Sequence, residues 1–324
     1  MSKPDPVQRA LERLGELRHA ALNDQVITEI RQSLRNRSNL IIAKAAKVAG
    51  ALQARSVVPD LVASFHSLMA DAPRLDKRCA ALTEIVAALY ELDCDDPDPY
   101  FIGLRHVQME GSFGPPVDAA AKLRGLCAQG LLRTRGPNAL DEVVRLLVDR
   151  EPEARIGAVK ALATNGGEAG VLLLRLKVHI CDQESVVLAE CFAGLLAAAP
   201  ERSVSFVGEY VDSVDEAVAE AAILALGESK NECALEILKD KWQRTVRGPL
   251  RHVLLVAMAC SRLESAIAYL LAIAGEASPQ TAAQAIEVLA SYRSSERIRS
   301  SLQKVVRERN EQVVTRAFVQ HFEE

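Results

Sequence analysis

Arg155-Ile156-Gly157-Ala158-Val159-Lys160-Ala161-Leu162 decides how this sequence is read. Small and apolar residues fall there at helical spacing and end on an Ala-Leu step. The same pattern returns at Ala219-Glu220-Ala221-Ala222-Ile223-Leu224-Ala225-Leu226-Gly227 and at Ala282-Ala283-Gln284-Ala285-Ile286-Glu287-Val288-Leu289. Fainter copies end at Ala49, Ile85, Leu126, Leu195 and Met258, so successive anchors stand 36, 41, 36, 33, 31, 32 and 31 residues apart. That interval fits one helix-turn-helix unit, which cannot bury its apolar face alone and must stack on a neighbour. The expectation is an all-α protein: an α-solenoid of about eight stacked helix pairs.

Each unit supplies a second apolar helix, expected at Ala139–Val148, Val171–Val178, Cys233–Trp242 and Ala266–Ile273. Leu140, Val143, Val144 and Leu147 follow the spacing of one helix face. The 13 prolines can all be placed in loops or first turns, as at Ser278-Pro279, where a hydroxyl cap precedes a Pro at the first helical position. No stretch alternates with a two-residue period long enough to demand a sheet.

Outside the repeats, residues 6 to 37 read as two N-terminal helices, with Leu11, Leu14 and Ala21 on one and Val26, Ile27, Ile30 and Leu34 on the other. Residues 1–37 are expected to cap the 38–307 stack at one end, and 308–324 at the other, with Val313, Val314, Ala317 and Phe318 packing inward. Such polar-faced ends prevent open-ended association.

The 324 residues are 49% apolar but only 4% aromatic, so Ala, Leu and Val must fill the core. Formal net charge is −4, which argues against a dedicated nucleic-acid binder. The apolar stretch Ser265–Gly275 falls short of the about 20 residues that cross a membrane. The N-terminus has no apolar core of a signal peptide, and seven scattered cysteines form no CxxC pair. Reduced, buried thiols in a cytoplasmic protein are expected, with no membrane association.

The blocks at Arg155–Leu162, Ala219–Gly227 and Ala282–Leu289 resemble the HEAT-repeat superfamily, in particular the short bacterial repeats similar to those of phycobilin lyases. The resemblance covers residues 38 to 307, most strongly from 117 onward. It implies a right-handed superhelix whose second helices line the concave face. Candidate binding residues on those helices are Arg145, Arg175, Lys177, Lys239 and Trp242.

The 41-residue interval is the one irregularity, with an insertion near 93–118. A short helix is expected to run to Met109, followed by a Gly/Pro loop. Long inter-element segments are often functional. This one gathers Tyr100, His106, Gln108, Glu110, Phe113 and Asp118, with Arg124 just beyond, as a candidate peptide or ligand clamp. On a helix, His106 and Glu110 would share a face and Gln108 would not. Asp95, Asp96 and Asp98 resemble the start of a calcium loop, but the glycine and closing Glu of such a loop are missing. His179 and Cys181 have no second pair to complete a zinc site, and the His-Glu pairs of HEAT-like di-iron hydroxylases are absent. No metal or cofactor is expected.

Charge is uneven along the chain. Asp182–Glu236 holds twelve acids against Arg202 and Lys230, whereas Lys239–Arg316 holds thirteen bases against seven acids. Such fields can orient a partner. No GxSxG elbow, P-loop or GxGxxG occurs. The sequence therefore points to a non-catalytic scaffold or adaptor that binds another protein or peptide. The resemblance adds two alternatives: a bilin lyase-like chromophore attachment factor or its adaptor subunit, acting on a tetrapyrrole-carrying protein, and a HEAT-like DNA glycosylase.

Overall fold

A computed structural model describes residues 5–111, 114–136 and 138–323. Among the described residues the protein is all-α, with twenty α-helices and a single two-stranded ribbon. Contacts divide the chain into two compact units, Met1–Leu174 and Arg175–Glu324. The sequence reading has one uninterrupted stack; the division is a finding of the structure. Where each helix touches only near neighbours, compactness is a local property.

The first unit opens with α1 (Pro6–Leu17) and α2 (Asp24–Leu34). Helices α3 (Asn39–Ala51) and α4 (Val58–Met69) follow, then the single turn α5 (Ala72–Leu75). Next come α6 (Ala80–Glu91) with α7 (Asp98–Leu104), α8 (Ala121–Arg133) with α9 (Ala139–Leu146), and α10 (Pro152–Asn165). Helix α11 (Gly167–His179) carries the chain across the division. The second unit contains α12 (Ser185–Ala198) with α13 (Pro200–Gly208) and α14 (Glu216–Glu228) with α15 (Glu232–Arg244). It continues with α16 (Leu250–Cys260) and α17 (Glu264–Glu276), α18 (Pro279–Leu289) and α19 (Glu296–Arg309), and ends with α20 (Gln312–Phe318). From α3 to α19 the described chain thus forms eight consecutive helix pairs, as the anchor spacing predicts.

Each unit is a stack. In the first, α1, α3, α6, α8 and α10 pack in that order as a first row, while α2, α4 and α7 form a second row beside it. Helix α9 packs on both α8 and α10. In the second unit α12, α14, α16, α18 and α20 repeat the first row, and α13 packs on α15 and α17 on α19. This next-but-one contact defines a solenoid of helix pairs.

The first rows carry the Ala-rich blocks because their helices lie very close together. A Cβ added to Gly157 would fall far inside contact distance of the Gly125 backbone, and one added to Gly227 would do the same against Ala257. The anchors Ala49, Ile85, Leu162, Leu195, Leu226, Met258 and Leu289 are all buried. Leu126 is only half-buried; Leu123, Cys127 and Leu131 fill the core of α8 in its place.

Local chemistry starts the helices where the sequence suggests. Pro6, Pro59, Pro99, Pro152, Pro200 and Pro279 sit in first turns. Loop carboxylates tie down backbone N–H groups at helix starts: Asp149 accepts from Glu151 at 2.9 Å, Asp182 from Glu184 at 2.9 Å and Asp215 from Ala217 at 3.0 Å. At the C-terminal end Val314 and Phe318 are buried but Val313 is exposed. Adjacent positions on a helix point about 100° apart, and on this short helix the inward face is centred on Val314 and Phe318, four residues apart, which turns Val313 to solvent.

Candidate functional site

The irregular segment departs from its reading at one point. The expected short helix is α7, but it stops at Leu104, five residues short of Met109. The chain turns extended instead, and β1 (Met109–Glu110) pairs antiparallel with β2 (Val117–Asp118) in the register Met109↔Asp118 and Glu110↔Val117. In extended chain every second side chain shares a face, so the helical parity applied to His106, Gln108 and Glu110 is the wrong one. The three side chains bond in series. Nε2 of His106 lies 3.1 Å from Oε1 of Gln108, and Nε2 of Gln108 donates to Oε1 of Glu110 at 2.6 Å.

This ladder closes on the residues around it. Gln108 also donates to the Asp76 carbonyl at 3.0 Å, and Glu110 accepts from the Arg78 N–H at 2.7 Å. Asp118 accepts from the N–H groups of Gln108 at 3.0 Å and Ala120 at 2.9 Å. The Arg124 guanidinium bonds Asp118 at 2.6 Å, both oxygens of Asp149 at 2.9 and 3.0 Å, and the His106 carbonyl at 3.0 Å. Burial pushes the Asp118 carboxyl up, but the two N–H donors and Arg124 outweigh it and hold it below the usual carboxylate range. Burial likewise opposes the charge on Arg124, and its bonds to Asp149 and Asp118 outweigh that and raise it. Next to this cluster the Cys79 thiol is pushed up to about 12, chiefly by burial, with Asp76, Glu110 and Asp118 adding to it. A thiol so shifted is no nucleophile at neutral pH.

The residues of the expected clamp therefore divide. His106, Gln108, Glu110, Asp118 and Arg124 come together, and most of their polar atoms bond one another, Asp149 or the backbone. Tyr100 joins a different set: it is 0% exposed, its ring fills the space a Cβ would take on Gly130, and its hydroxyl lies 3.4 Å from Arg133. Burial raises its pKa. Phe113 lies outside the described residues.

What stays open is a shallow pocket of about 450 Å³ over α7 and α9, lined by Leu104, Arg105, Val107, Arg124, Glu142, Arg145, Leu146 and Asp149. Arg105 makes a two-point bond to the buried Glu142 at 2.7 and 3.2 Å and stacks over Phe101 at 4.2 Å. That bond holds the Glu142 carboxyl below its ordinary value. Arg145 reaches Glu142 only at 3.7 Å and is 76% exposed. Val107 is 59% exposed. The sequence does not single out Arg105 and Val107; one and three residues beyond the end of α7, they carry no motif.

In the second unit the remaining candidates separate. Arg175 stacks on Phe206 at 4.7 Å and donates to the Arg202 carbonyl. Lys177 is buried, with Asp182 at 2.8 Å and side-chain exposures of 6% and 3%. Trp242 is buried beneath Arg251, whose guanidinium lies 3.7 Å from its ring. Neither Lys177 nor Trp242 lines an open surface, which corrects the groove expectation for both: Lys177 follows Val171, Leu174 and Val178 onto the inward face of α11, and Trp242 follows Leu235 and Leu238 on α15. Lys239 is half-exposed, 2.8 Å from Glu236 and 5.4 Å from the Tyr269 ring. The unevenness of charge is partly consumed inside this unit, since Asp212 pairs with both Lys241 and Arg244.

Among the described residues no group of three or more His, Cys, Asp or Glu side chains is placed to hold a metal ion. No described helix is long and apolar enough to cross a membrane.

Fold and site together define a class: an all-α helical-repeat protein with a shallow, arginine-rimmed pocket on one row of helices. No protein-family model matches the chain, and no curated protein matches it. Among solved structures, human deoxyhypusine hydroxylase in complex with glycerol is similar at 19% identity, over 90% of this chain and 92% of that one, with a TM-score of 0.29. The class of this chain rests on its own helix contacts.

Proposed function

We propose that the chain is a non-catalytic, HEAT-like scaffold that binds another protein on the second-row helices of its first unit. The observation that carries the reading is the pocket over α7 and α9. Its floor is apolar, at Leu104, Val107 and Leu146, and its rim holds the largely free Arg145 beside the fixed Arg105. Apolar centres edged by arginine characterise protein interfaces. Of the titratable groups lining the pocket, Arg124 and Asp149 are committed to the hairpin and Glu142 to Arg105, which suits a wall better than a reaction centre. A formal net charge of −4 runs against a nucleic-acid backbone as the partner.

The test is quantitative affinity capture from the native cell with the wild-type chain and an Arg145→Glu, Val107→Asp variant. Both positions are exposed, so thermal melting of the variant should match wild type. A protein held by the wild type and lost from the variant supports the reading. An identical set of captured proteins on both chains sinks it.

A further inference from the structure

A second pocket lies at the other end of the same row. It occupies about 750 Å³ between the end of α2, the start of α3, and helices α4 and α5. That size falls in the range of genuine binding pockets, about 300–1,000 Å³. Leu34, Ile42 and Leu68, each nearly fully buried, form its apolar floor, and Arg35, Arg37 and Arg74 supply the cations.

The charges in this pocket do not cancel. Asp60 is its one lining acid, and it is already held by Arg31 and Arg35, each at 3.0 Å. Arg74 pairs with Asp71 at 2.6 Å, an exposed pair one helical turn apart, of a kind that contributes little. Among the described residues Arg37 has no hydrogen-bond or ion-pair partner. The Ser64 hydroxyl is committed to the Leu34 carbonyl at 3.0 Å. The pocket thus offers an apolar floor, one unpartnered cation in Arg37, and a second, Arg74, held only by an exposed pair. A guanidinium fork matches a carboxylate.

The chemistry repeats along the row. Helix α4 packs on α7, and the α7–α9 pocket again sets arginines over Leu104, Val107 and Leu146. The two pockets share no lining residue. A small anion would leave both apolar floors empty. An apolar chain without acids would leave Arg37 and Arg145 unused.

We propose that the α2–α5 pocket seats an apolar side chain of an acidic peptide segment, whose neighbouring carboxylates pair with Arg37 and Arg74. This rests on the protein-binding reading above and names the chemistry of the partner. The same segment, continued along the row, would reach the α7–α9 pocket, where Arg145 is the available cation.

The experiment is fluorescence anisotropy on the full chain with a fluorescein-labelled synthetic peptide of alternating Glu and Leu. Two control peptides replace Glu by Gln or Leu by Gly. The protein variant is Arg37→Glu with Arg74→Glu, both on exposed side chains, with its fold checked by circular dichroism. The Glu/Leu peptide is expected to saturate the wild type, and either control, or the variant, to lose about tenfold or more in affinity. A Lys/Leu peptide is expected to bind the variant better than the wild type. Equal affinity of the Glu/Leu peptide for wild type and variant overturns the proposal, as does no saturation by about 1 mM. So does binding of octanoate or inorganic phosphate as tight as that of the peptide, since the occupant would then be a small anion. Failure here alongside a partner lost in the Arg145→Glu, Val107→Asp capture rejects the acidic chemistry and leaves the scaffold standing. An unchanged capture alongside a peptide that needs Arg37 and Arg74 rejects the α7–α9 face and leaves this pocket.

Discussion

Arg124 closes the irregular segment, and its cost of burial explains why so many acceptors surround it. Only 4% of its side chain is exposed, and it meets two carboxylates and a carbonyl. Replacing it with Met leaves Asp118 buried without its cation, a change that costs about 3–5 kcal/mol in comparable buried pairs. Urea unfolding of Arg124→Met should show that loss; a cost below about 1 kcal/mol would mean the pair is no more than a surface bridge. The pH response follows from the same contact. The folded Asp118 carboxyl titrates below its ordinary value of about 3.9. Its contribution is therefore complete above that ordinary value and disappears as pH falls through the lower, folded one. Asp118→Asn should flatten the acid end of the stability curve while leaving the neutral-to-alkaline side parallel to wild type.

The contact between α8 and α10 in the first row is set by glycine. Gly125 on α8 faces Gly157 on α10 with backbone nearly touching backbone. Ala is favoured over Gly inside an isolated helix by about 1 kcal/mol, so propensity alone predicts that Gly157→Ala stabilises. Packing predicts the opposite sign, because its Cβ would overlap the Gly125 backbone, and overpacking costs about 1–3 kcal/mol. Packing should win. Gly125→Ala, whose Cβ would lie 3.0 Å from the Gly157 Cα, should cost less. Equilibrium unfolding of the two variants settles the order, and a stabilised Gly157→Ala would show that α8 and α10 move apart freely. At this scale most elements are legible in the sequence, because Pro starts and apolar spacing are local signals. The ribbon is not. Two-residue strands carry no periodicity, so His106, Gln108 and Glu110 could be placed only by guessing a period, and the helical one separates side chains that the extended chain brings together.

Across the whole chain, the repeat is legible because eight similar pairs each report the same constraint. The candidate pockets are not, because Arg37 and Arg145 are marked only by the surfaces beside them and by the absence of a firm carboxylate partner among the described residues, and both depend on distant positions. The ends of the stack are the last matter that sequence and contacts address together. Helices α1 and α2 pack on α3, and α2 also packs on α4. Leu14, Leu17, Ile30 and Leu34 are buried there, while their polar neighbours face outward, Arg13 pairing with Glu29 at 2.9 Å. One face is thus built for the stack and the other for water, which is what a terminal cap requires. Deleting residues 1–37 removes the two helices that pack on α3 and uncovers part of its apolar face. The exposed face resembles the one that each first-row helix offers the next, so a second truncated copy can dock on it. Sedimentation velocity of the 38–324 fragment should show association that grows with concentration, or an insoluble product. A fragment that stays monomeric at every concentration tested, and melts where the full chain melts, would show that α1 and α2 are appended to the stack and do not close it.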